Sequence, residues 1–178
     1  MQPLRPTAAA NPQPSPAIRR WAALVPAGGE VLDVAAGRGR HALLFAERDH
    51  PVTAIDRDTT ALRGLGASRI AIVEADLEHG PWPLPGRTFA AVVVTNYLWR
   101  PLLSTIVASV RPGGVLLYET FAVGNERYGR PQNPEFLLRP GELLDAVRGE
   151  LRVREYGHGA EGVPPRAMRQ RLCAVRPL

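Results

Sequence analysis

Three acidic residues stand at or near the ends of short apolar runs, and a glycine-rich turn follows the first of them. Asp33, Asp56 and Asp76 are these acids, and Gly37 and Gly39 belong to the turn. Glycine allows a tight turn in which the backbone approaches a ligand without an intervening Cβ. A strand, a glycine turn and a helix in this order open a nucleotide-binding βαβ unit. These residues therefore predict that carboxylates and backbone N–H groups bind an adenosine-containing molecule at one edge of a sheet.

A nicotinamide dinucleotide is the first alternative to weigh. Asp56 follows Gly37 by 19 residues, which is the spacing at which an acid receives the ribose hydroxyls of a dinucleotide. The run 37–42 also fits the dinucleotide pattern, with Ala42 as its third small residue. Against this reading stand Asp33, four residues before Gly37, and the third acid Asp76. We also expect no room in this chain for the substrate domain that a dehydrogenase would add.

The successive motifs resemble those of class I S-adenosylmethionine-dependent methyltransferases. The segments that carry the resemblance are Asp33-x-Ala-x-Gly37-x-Gly39, Asp56, Asp76-Leu77 and Arg111-Pro112-Gly113-Gly114. Four motifs in register, over roughly residues 18–178, are far more specific than one glycine turn. Within the class, the strand end 118–121 and the run 133–138 are most similar to small bacterial enzymes of the tellurite-resistance and thiol-methylating type.

The resemblance implies S-adenosylmethionine as the cofactor, held by the turn 35–39. Asp56 would bind the ribose hydroxyls and Asp76 would lie near the adenine, while Asp33 would hold the turn or face the methionine amino group. The cofactor-binding residues that it implies are Asp33, Ala35, Ala36, Gly37, Arg38, Gly39, Asp56, Arg57, Ala75, Asp76, Leu77 and Asn96. Alternatively, Asp33 and Asp76 only cap the ends of strands.

The acceptor of the methyl group is expected between residues 96–100 and the loop 119–136. Tyr97 is the first candidate for orienting or deprotonating the acceptor, and Glu119 is the second. The expected substrate-binding residues are Tyr97, Trp99, Arg100, Arg127 and Arg130. The last two would attract an anionic substrate and close the loop over it. The competing interpretation is that the aromatic residues only pack and the arginines only face solvent.

The predicted fold class is α/β, a three-layer Rossmann-like sandwich. We expect a seven-stranded, mostly parallel sheet whose last strand is antiparallel. Five proline residues in the first 16 residues predict a flexible tail over 1–16 and a methyltransferase domain over 17–178. The runs 151–156 and 169–175 are the expected closing hairpin.

Composition limits the remaining classes of function. The charge of +5 comes entirely from arginine and is spread evenly, with 11 Arg against 9 acids in residues 1–110 and 11 against 8 in 111–178. Nucleic-acid binding usually shows a concentrated basic stripe, so nucleic acid is a demoted partner. No apolar run approaches the ~20 residues that span a bilayer, and we expect a cytoplasmic monomer or homodimer. The single Cys173 excludes a cysteine-rich metal site, and we expect no metal.

Three functional hypotheses follow from these observations. The first is a methyltransferase acting on a small-molecule thiol, metalloid or amine. The second is an RNA or protein methyltransferase. Enzymes that methylate base amino groups carry an Asn/Asp-Pro-Pro-aromatic tetrapeptide where this chain has Asn96-Tyr97, but here Leu98-Trp99 stands in place of the prolines. The third is a non-catalytic module that binds S-adenosylmethionine.

Overall fold

The seven strands form one sheet in a computed structural model that describes residues 13–178. The strands are β1 (Val31–Val34), β2 (Val52–Asp56), β3 (Ile70–Glu74), β4 (Phe89–Thr95), β5 (Val110–Phe121), β6 (Arg152–Glu161) and β7 (Ala167–Val175). Their order across the sheet is β3-β2-β1-β4-β5-β7-β6. β1 to β5 run parallel, whereas β7 is antiparallel to both of its neighbours. The predicted fold class and closing hairpin are therefore confirmed.

Helices cover both faces of the sheet. They are α1 (Pro16–Trp21), α2 (Arg40–Ala46), α3 (Thr60–Arg63), α4 (Leu103–Ala108) and α5 (Glu142–Val147). Side chains of α1, α2 and α3 share one apolar cluster with the sheet, and those of α4 and α5 share the other. Because successive strand residues point to opposite faces, one apolar strand such as β4 contributes to both clusters. No helix within residues 13–178 is long and apolar enough to cross a membrane.

The chain reverses its direction of travel across the sheet between β1 and β4. From β1 it proceeds outward to β2 and β3, and it then returns to place β4 on the other side of β1. The connections that leave β1 and β4 thus diverge to opposite faces at their carboxyl ends. Such a divergence opens a crevice, which is the usual ligand site of an open α/β sheet.

Left-handed backbone conformations shape the turn after β1. Ala35 has φ 53°, Gly37 has φ 56° and Gly39 has φ 77°. A Cβ on Gly39 would lie 2.8 Å from the side chain of Leu62, so both conformation and packing require glycine there. A Cβ on Gly37 would meet nothing within 4 Å. The space in front of Gly37 is therefore open to a ligand.

Two buried polar side chains support this turn from within the fold. Asp33 is 1% exposed and its Oδ2 has no hydrogen-bond partner among the described residues. Burial raises the pKa of Asp33 to about 7, against opposing effects of the Ala42 backbone N–H and of Arg40. Burial likewise lowers the pKa of His41 to about 3, so this imidazole is neutral.

His41 and Glu119 attach the segment before α1 to the sheet. The N–H of Ser15 donates to His41 Nε2 at 3.1 Å, so the proton of the neutral ring is on Nδ1, which lies 3.2 Å from Thr95 Oγ1. The Ser15 hydroxyl donates to Glu119 Oε2 at 2.9 Å. Residues 1–12 of the predicted tail lie outside the described residues. Ser15 is buried and Pro16 begins α1, so the end of the predicted tail packs on the domain, unlike the sequence-based expectation.

Arg100 forms a brace for the long loop after β5. Its guanidinium donates to Glu142 Oε1 from Nε at 2.7 Å and to Glu142 Oε2 from Nη2 at 3.0 Å. It also donates to the backbone carbonyls of Glu135 and Leu137, at 2.7 and 2.9 Å. These two carbonyls flank Phe136. The brace therefore fixes the loop backbone on both sides of that ring.

Asp33 and His41 should give opposite pH dependences to the stability of the protein. The ordinary pKa values are 3.8 and 6.5, and the folded values are about 7 and about 3. As pH falls below 6.5, His41 takes up a proton in the unfolded chain but not in the folded protein, which destabilises the fold. As pH rises above 3.8, Asp33 loses its proton in the unfolded chain but not in the folded protein, which also destabilises the fold. Between these values the two contributions oppose each other.

We expect urea unfolding between pH 4 and 7 to separate them. Relative to the unsubstituted protein, stability should rise more steeply with pH in Asp33→Asn and less steeply in His41→Gln, by up to ~1.4 kcal/mol per pH unit. The other titrating groups are common to all three proteins and cancel in the differences. Three parallel stability curves would contradict this assignment of protons.

The Arg100–Glu142 brace should be strongly coupled. Its side chains are 23% and 15% exposed, so we expect a double-mutant cycle with Arg100→Ala and Glu142→Ala to yield about 1–3 kcal/mol. The pair Arg148–Asp145, at 78% and 67% exposure, is the matched control and should yield less than about 0.5 kcal/mol. Equal coupling energies for the two pairs would argue against a brace.

Candidate active site

A cavity of about 320 Å³ opens beside the switch point, where β1, β2, β3 and β4 end. We call it the central cavity. The sequence-predicted cofactor residues that line it are Ala35, Asp56, Arg57, Ala75, Asp76 and Leu77. Tyr97, Glu78 and Phe136 complete its wall. The structure thus brings together residues that are up to 101 positions apart (35 to 136) at one edge of the sheet.

The other predicted cofactor residues lie around this cavity without lining it. Gly37 and Arg38 are exposed in the turn, whereas Ala36 and Gly39 are buried within it. Asp33 is buried beneath the turn, in keeping with the indirect role expected for it. Asn96 is exposed at the end of β4, lines a neighbouring cavity and has φ 55°.

Asp56 connects the central cavity to the glycine turn. Its Oδ2 accepts a hydrogen bond from the N–H of Gly37 at 2.7 Å, and its Oδ1 accepts one from the N–H of Asp58 at 3.0 Å. A carboxylate offers about four acceptor positions. Both oxygens therefore retain capacity for donors of a bound molecule.

Asp76 forms the second acidic position of the wall. Its Oδ1 accepts hydrogen bonds from the N–H groups of Glu78 and His79, at 2.9 and 3.1 Å, and its Oδ2 lies 3.1 Å from His79 Nδ1. These contacts, that of Glu78 foremost, lower the pKa of Asp76. The carboxylate is therefore ionised at neutral pH and its loop is preformed.

Tyr97 lines both the central cavity and a neighbouring one, and its hydroxyl group is buried. Its Oη is buried and has no hydrogen-bond partner among the described residues. Burial raises the pKa of Tyr97 above its ordinary value, and the negative charges of Glu78, Asp76 and Asp56 raise it further. A phenol with a raised pKa stays protonated near neutrality. Of the two roles predicted for Tyr97, the structure therefore favours hydrogen-bond donation over proton abstraction.

A second cavity of about 250 Å³ adjoins the first, and we call it the side cavity. It shares Glu78, Tyr97 and Phe136 with the central cavity. Its remaining lining residues are Asn96, Leu98, Thr120, Phe121 and Pro131. This is the region between residues 96–100 and the loop 119–136, where the sequence predicts the acceptor. A molecule in the side cavity would lie next to the occupant of the central cavity.

Glu119 lies in a third, more basic cleft of about 500 Å³. This basic cleft is lined by Gln13, Pro14, Ser15, Pro16, Arg19, Arg20, Arg40, Glu119, Glu161 and Arg169. The side chain of Glu119 is 5% exposed and pairs with Arg171, whose Nε lies 2.9 Å from Oε2. The two predicted catalytic residues therefore face different cavities, and the carboxylate of Glu119 is already paired.

The predicted substrate-binding residues are not all brought together. Trp99 is half-buried, Arg127 and Arg130 are exposed, and none of them lines the three cavities. Arg100 does not line them either, because protein acceptors take up its hydrogen bonds in the brace. Its predicted contact with substrate is therefore replaced by a contact with the loop that carries Phe136.

Sequence reasoning did not single out two residues that line both cavities. Glu78 follows Asp76-Leu77 by one residue, and Phe136 stands in an otherwise irregular loop. An aromatic residue within a long loop was the available signal for Phe136, since loops of that length commonly contribute to sites. Residues 13–178 contain no group of three His, Cys, Asp or Glu side chains that could hold a metal ion.

Comparisons with known proteins agree with this geometry. Residues 31–114 match the family model described as a methyltransferase domain. No curated protein matches the chain in sequence. Among solved structures, TehB from Haemophilus influenzae is similar with a TM-score of 0.69 and 17% identity, over 89% of this chain and 61% of that protein. The chain thus spans less than two thirds of that relative.

Two further solved structures cover this chain to a similar extent. An S-adenosylmethionine-dependent methyltransferase from Mesorhizobium loti has a TM-score of 0.69 and 19% identity, over 90% of this chain and 96% of its own. The 1,6-didemethyltoxoflavin-N1-methyltransferase of Burkholderia thailandensis has a TM-score of 0.65 and 20% identity, over 92% and 79%. Residues 31–114 therefore match the methyltransferase-domain model, and the chain has the fold of solved S-adenosylmethionine-dependent methyltransferases.

Proposed function

We propose that this protein is a methyltransferase that uses S-adenosylmethionine to methylate a small molecule. One observation supports the proposal above the others. Two neighbouring cavities that share Glu78, Tyr97 and Phe136 stand at the switch point, the central one with Asp56 and Asp76 in its wall and the side one with a largely apolar lining. A donor and an acceptor of a methyl group need such adjoining sites, because the transfer takes place directly between them.

The residues of the central cavity fit the nucleoside part of the cofactor. Asp56 retains acceptor capacity for the ribose hydroxyls, and Ala75, Asp76 and Leu77 form a wall against which an adenine can lie. The open space before Gly37 allows the backbone to approach the methionine part. The relatives point the same way, since the enzyme of Burkholderia thailandensis was crystallised with S-adenosylhomocysteine and MtfA with sinefungin.

When bound, the cofactor supplies a methyl group already activated by a positively charged sulfur. Asp56 and the wall formed by Ala75, Asp76 and Leu77 would hold the cofactor, and a nucleophilic atom of the acceptor would take the methyl group from it while the cofactor leaves as S-adenosylhomocysteine. Any proton of the acceptor atom would pass to water. The protein therefore has to align the two molecules and exclude water, which can contribute several kcal/mol to the rate.

Tyr97 is the residue we assign to orientation. Tyr97 lines both cavities and its hydroxyl is buried without a partner, while its backbone is held in place because the Tyr97 carbonyl accepts from the Tyr118 hydroxyl at 3.0 Å. Bound molecules would supply the acceptor that this hydroxyl lacks. A hydrogen bond made only in the complex favours the aligned pair over the free protein.

A macromolecular acceptor is the second candidate function. Arg127 and Arg130 are exposed on the loop beside the side cavity and would contact RNA or an acidic protein. The side cavity itself, at about 250 Å³, suits a small molecule better than a flipped nucleotide. Binding of RNA that falls steeply with salt concentration, together with methylation of that RNA, would favour this second candidate.

The deciding experiment uses cofactor with a labelled methyl group and pools of small thiols, amines and metalloid salts. Label transferred to a small molecule supports the proposal. Cofactor binding without transfer to any small molecule, RNA or protein would instead indicate a module that only binds S-adenosylmethionine.

Asp56→Ala should weaken S-adenosylmethionine binding about 10- to 100-fold in calorimetry. Hydrogen bonds to a charged group contribute about 1.5–3 kcal/mol, and this substitution removes the acceptor. Asp58→Ala is the matched control, because Asp58 does not line the central cavity. Unchanged affinity in Asp56→Ala, or equal affinity for nicotinamide dinucleotides, would defeat the cofactor assignment.

The substitutions Tyr97→Phe and Tyr118→Phe should change stability in opposite directions. Tyr97→Phe removes a buried hydroxyl that lacks a partner, so the free energy of unfolding should rise by up to ~1 kcal/mol, whereas Tyr118→Phe removes a formed hydrogen bond and should lower it by ~1 kcal/mol. Methyl transfer by Tyr97→Phe should fall about tenfold. A Tyr97→Phe protein that is both destabilised and fully active would exclude the orienting role.

A further inference from the structure

The charge that lines the side cavity does not suit the anionic substrate predicted from Arg127 and Arg130. Its lining contains one charged side chain, the carboxylate of Glu78, and no Arg or His. Asp56 and Asp76 stand in the central cavity next to it. A negatively charged acceptor would therefore meet acidic groups from two directions and no cation within the cavity wall.

Aromatic rings form the larger part of the wall. Tyr97, Phe121 and Phe136 line the side cavity together with Leu98 and Pro131. Aromatic faces favour stacking of flat molecules and also attract cations. Within residues 13–178, the guanidinium of Arg169 lies 4.0 Å from the Phe121 centroid. Arg169 does not line the side cavity, and its charge is taken up by Glu161 and by a hydrogen bond to Asn96 Oδ1.

We propose that the acceptor is a flat ring without negative charge that binds in the side cavity, and that an amine nitrogen attached to this ring is the nucleophile. This inference rests on the proposed function and narrows its acceptor class. The carboxylate of Glu78 favours binding of the amine as an ammonium ion, which loses one proton to water before the reaction. The neutral nitrogen would then form the new bond to the methyl carbon as the bond from that carbon to the cofactor sulfur breaks, and it would release its second proton to water.

Phe136 sets the position of this acceptor relative to the cofactor. It is 40% exposed and lines both cavities, and its flanking carbonyls are fixed by Arg100. Arg100 touches neither cavity, so it acts as a positioning residue through the loop. Loss of either side chain should thus disturb both binding sites together.

The test measures ligand binding to the full chain saturated with S-adenosylhomocysteine. The probes are benzylamine and benzoate, which share one ring and differ in the sign of their charge. We expect benzylamine to bind at least tenfold more tightly than benzoate, and Glu78→Gln to reduce this preference to about threefold or less. Benzoate binding as tightly as benzylamine, or no benzylamine binding at all, would overturn the proposal.

Variants locate the site and separate the two levels of inference. Phe121→Ala should weaken benzylamine at least fivefold while S-adenosylhomocysteine binding is unchanged, because Phe121 lines only the side cavity of the two. Leu24→Ala, an exposed apolar side chain that lines neither cavity, is the control. Benzylamine binding that Phe121→Ala leaves unaltered would place the ring elsewhere and refute the proposal. Failure to bind S-adenosylhomocysteine would refute the proposed function itself.

The positioning role of Arg100 has its own readout. Phe136→Ala and Arg100→Ala should each weaken both S-adenosylhomocysteine and benzylamine, and the double variant should be no weaker than Phe136→Ala alone. A merely structural role of Arg100 would give additive losses and would contradict this part of the inference.

Discussion

The site depends on one backbone constraint, which is that the chain leaves both central strands in left-handed conformations. Ala35 after β1 and Asn96 after β4 have φ 53° and 55° although neither is glycine. Such residues cost on the order of 1 kcal/mol or more and persist where the surrounding structure determines them. Here the N–H of Asn96 donates to the Glu119 carbonyl at 2.9 Å, and the N–H of Ala36, next to Ala35, donates to the Ile55 carbonyl at 2.9 Å. The sheet itself thus holds the two strained turns between which the central cavity opens.

The polar groups around these turns are stabilised to very different degrees. Asp76 and Asp56 accept backbone hydrogen bonds and stand at the solvent edge, so their charge costs little. Asp33 and Tyr97 instead keep polar atoms buried without partners among the described residues. Unpaired buried polar groups are destabilising. Two of the three such atoms among the described residues lie beneath or beside the central cavity, whereas Arg176 Nε belongs to a residue that lines neither cavity.

The parts of this structure that the sequence predicts are those encoded by local pattern. Seven strands, the glycine turn and the acids Asp56 and Asp76 each follow from periodicity and spacing, and the structure agrees with the sheet these imply, whereas the strand order that places the switch between β1 and β4 comes from the structure. Strand and helix ends are less local: β6 extends to Glu161, five residues beyond its predicted end, because it pairs with β7 along a long antiparallel hairpin.

Charge pairing across long sequence distances is what the pattern does not show. Arginine at position 100 reads as a site residue from its place after β4, yet its partner Glu142 lies 42 positions away and determines what it does. Glu119 is predicted as a second candidate base from its place near the end of the fifth strand, but Arg171 pairs with its charge and Ser15 covers it. All 22 Lys and Arg positions of this chain are arginine, and each guanidinium can donate several hydrogen bonds to any of the 17 carboxylates that the fold brings near it, so the sequence does not identify its partner. Under the proposed function, the carboxylate of Glu78 in the side cavity, rather than Arg127 and Arg130 in the loop, therefore selects the acceptor.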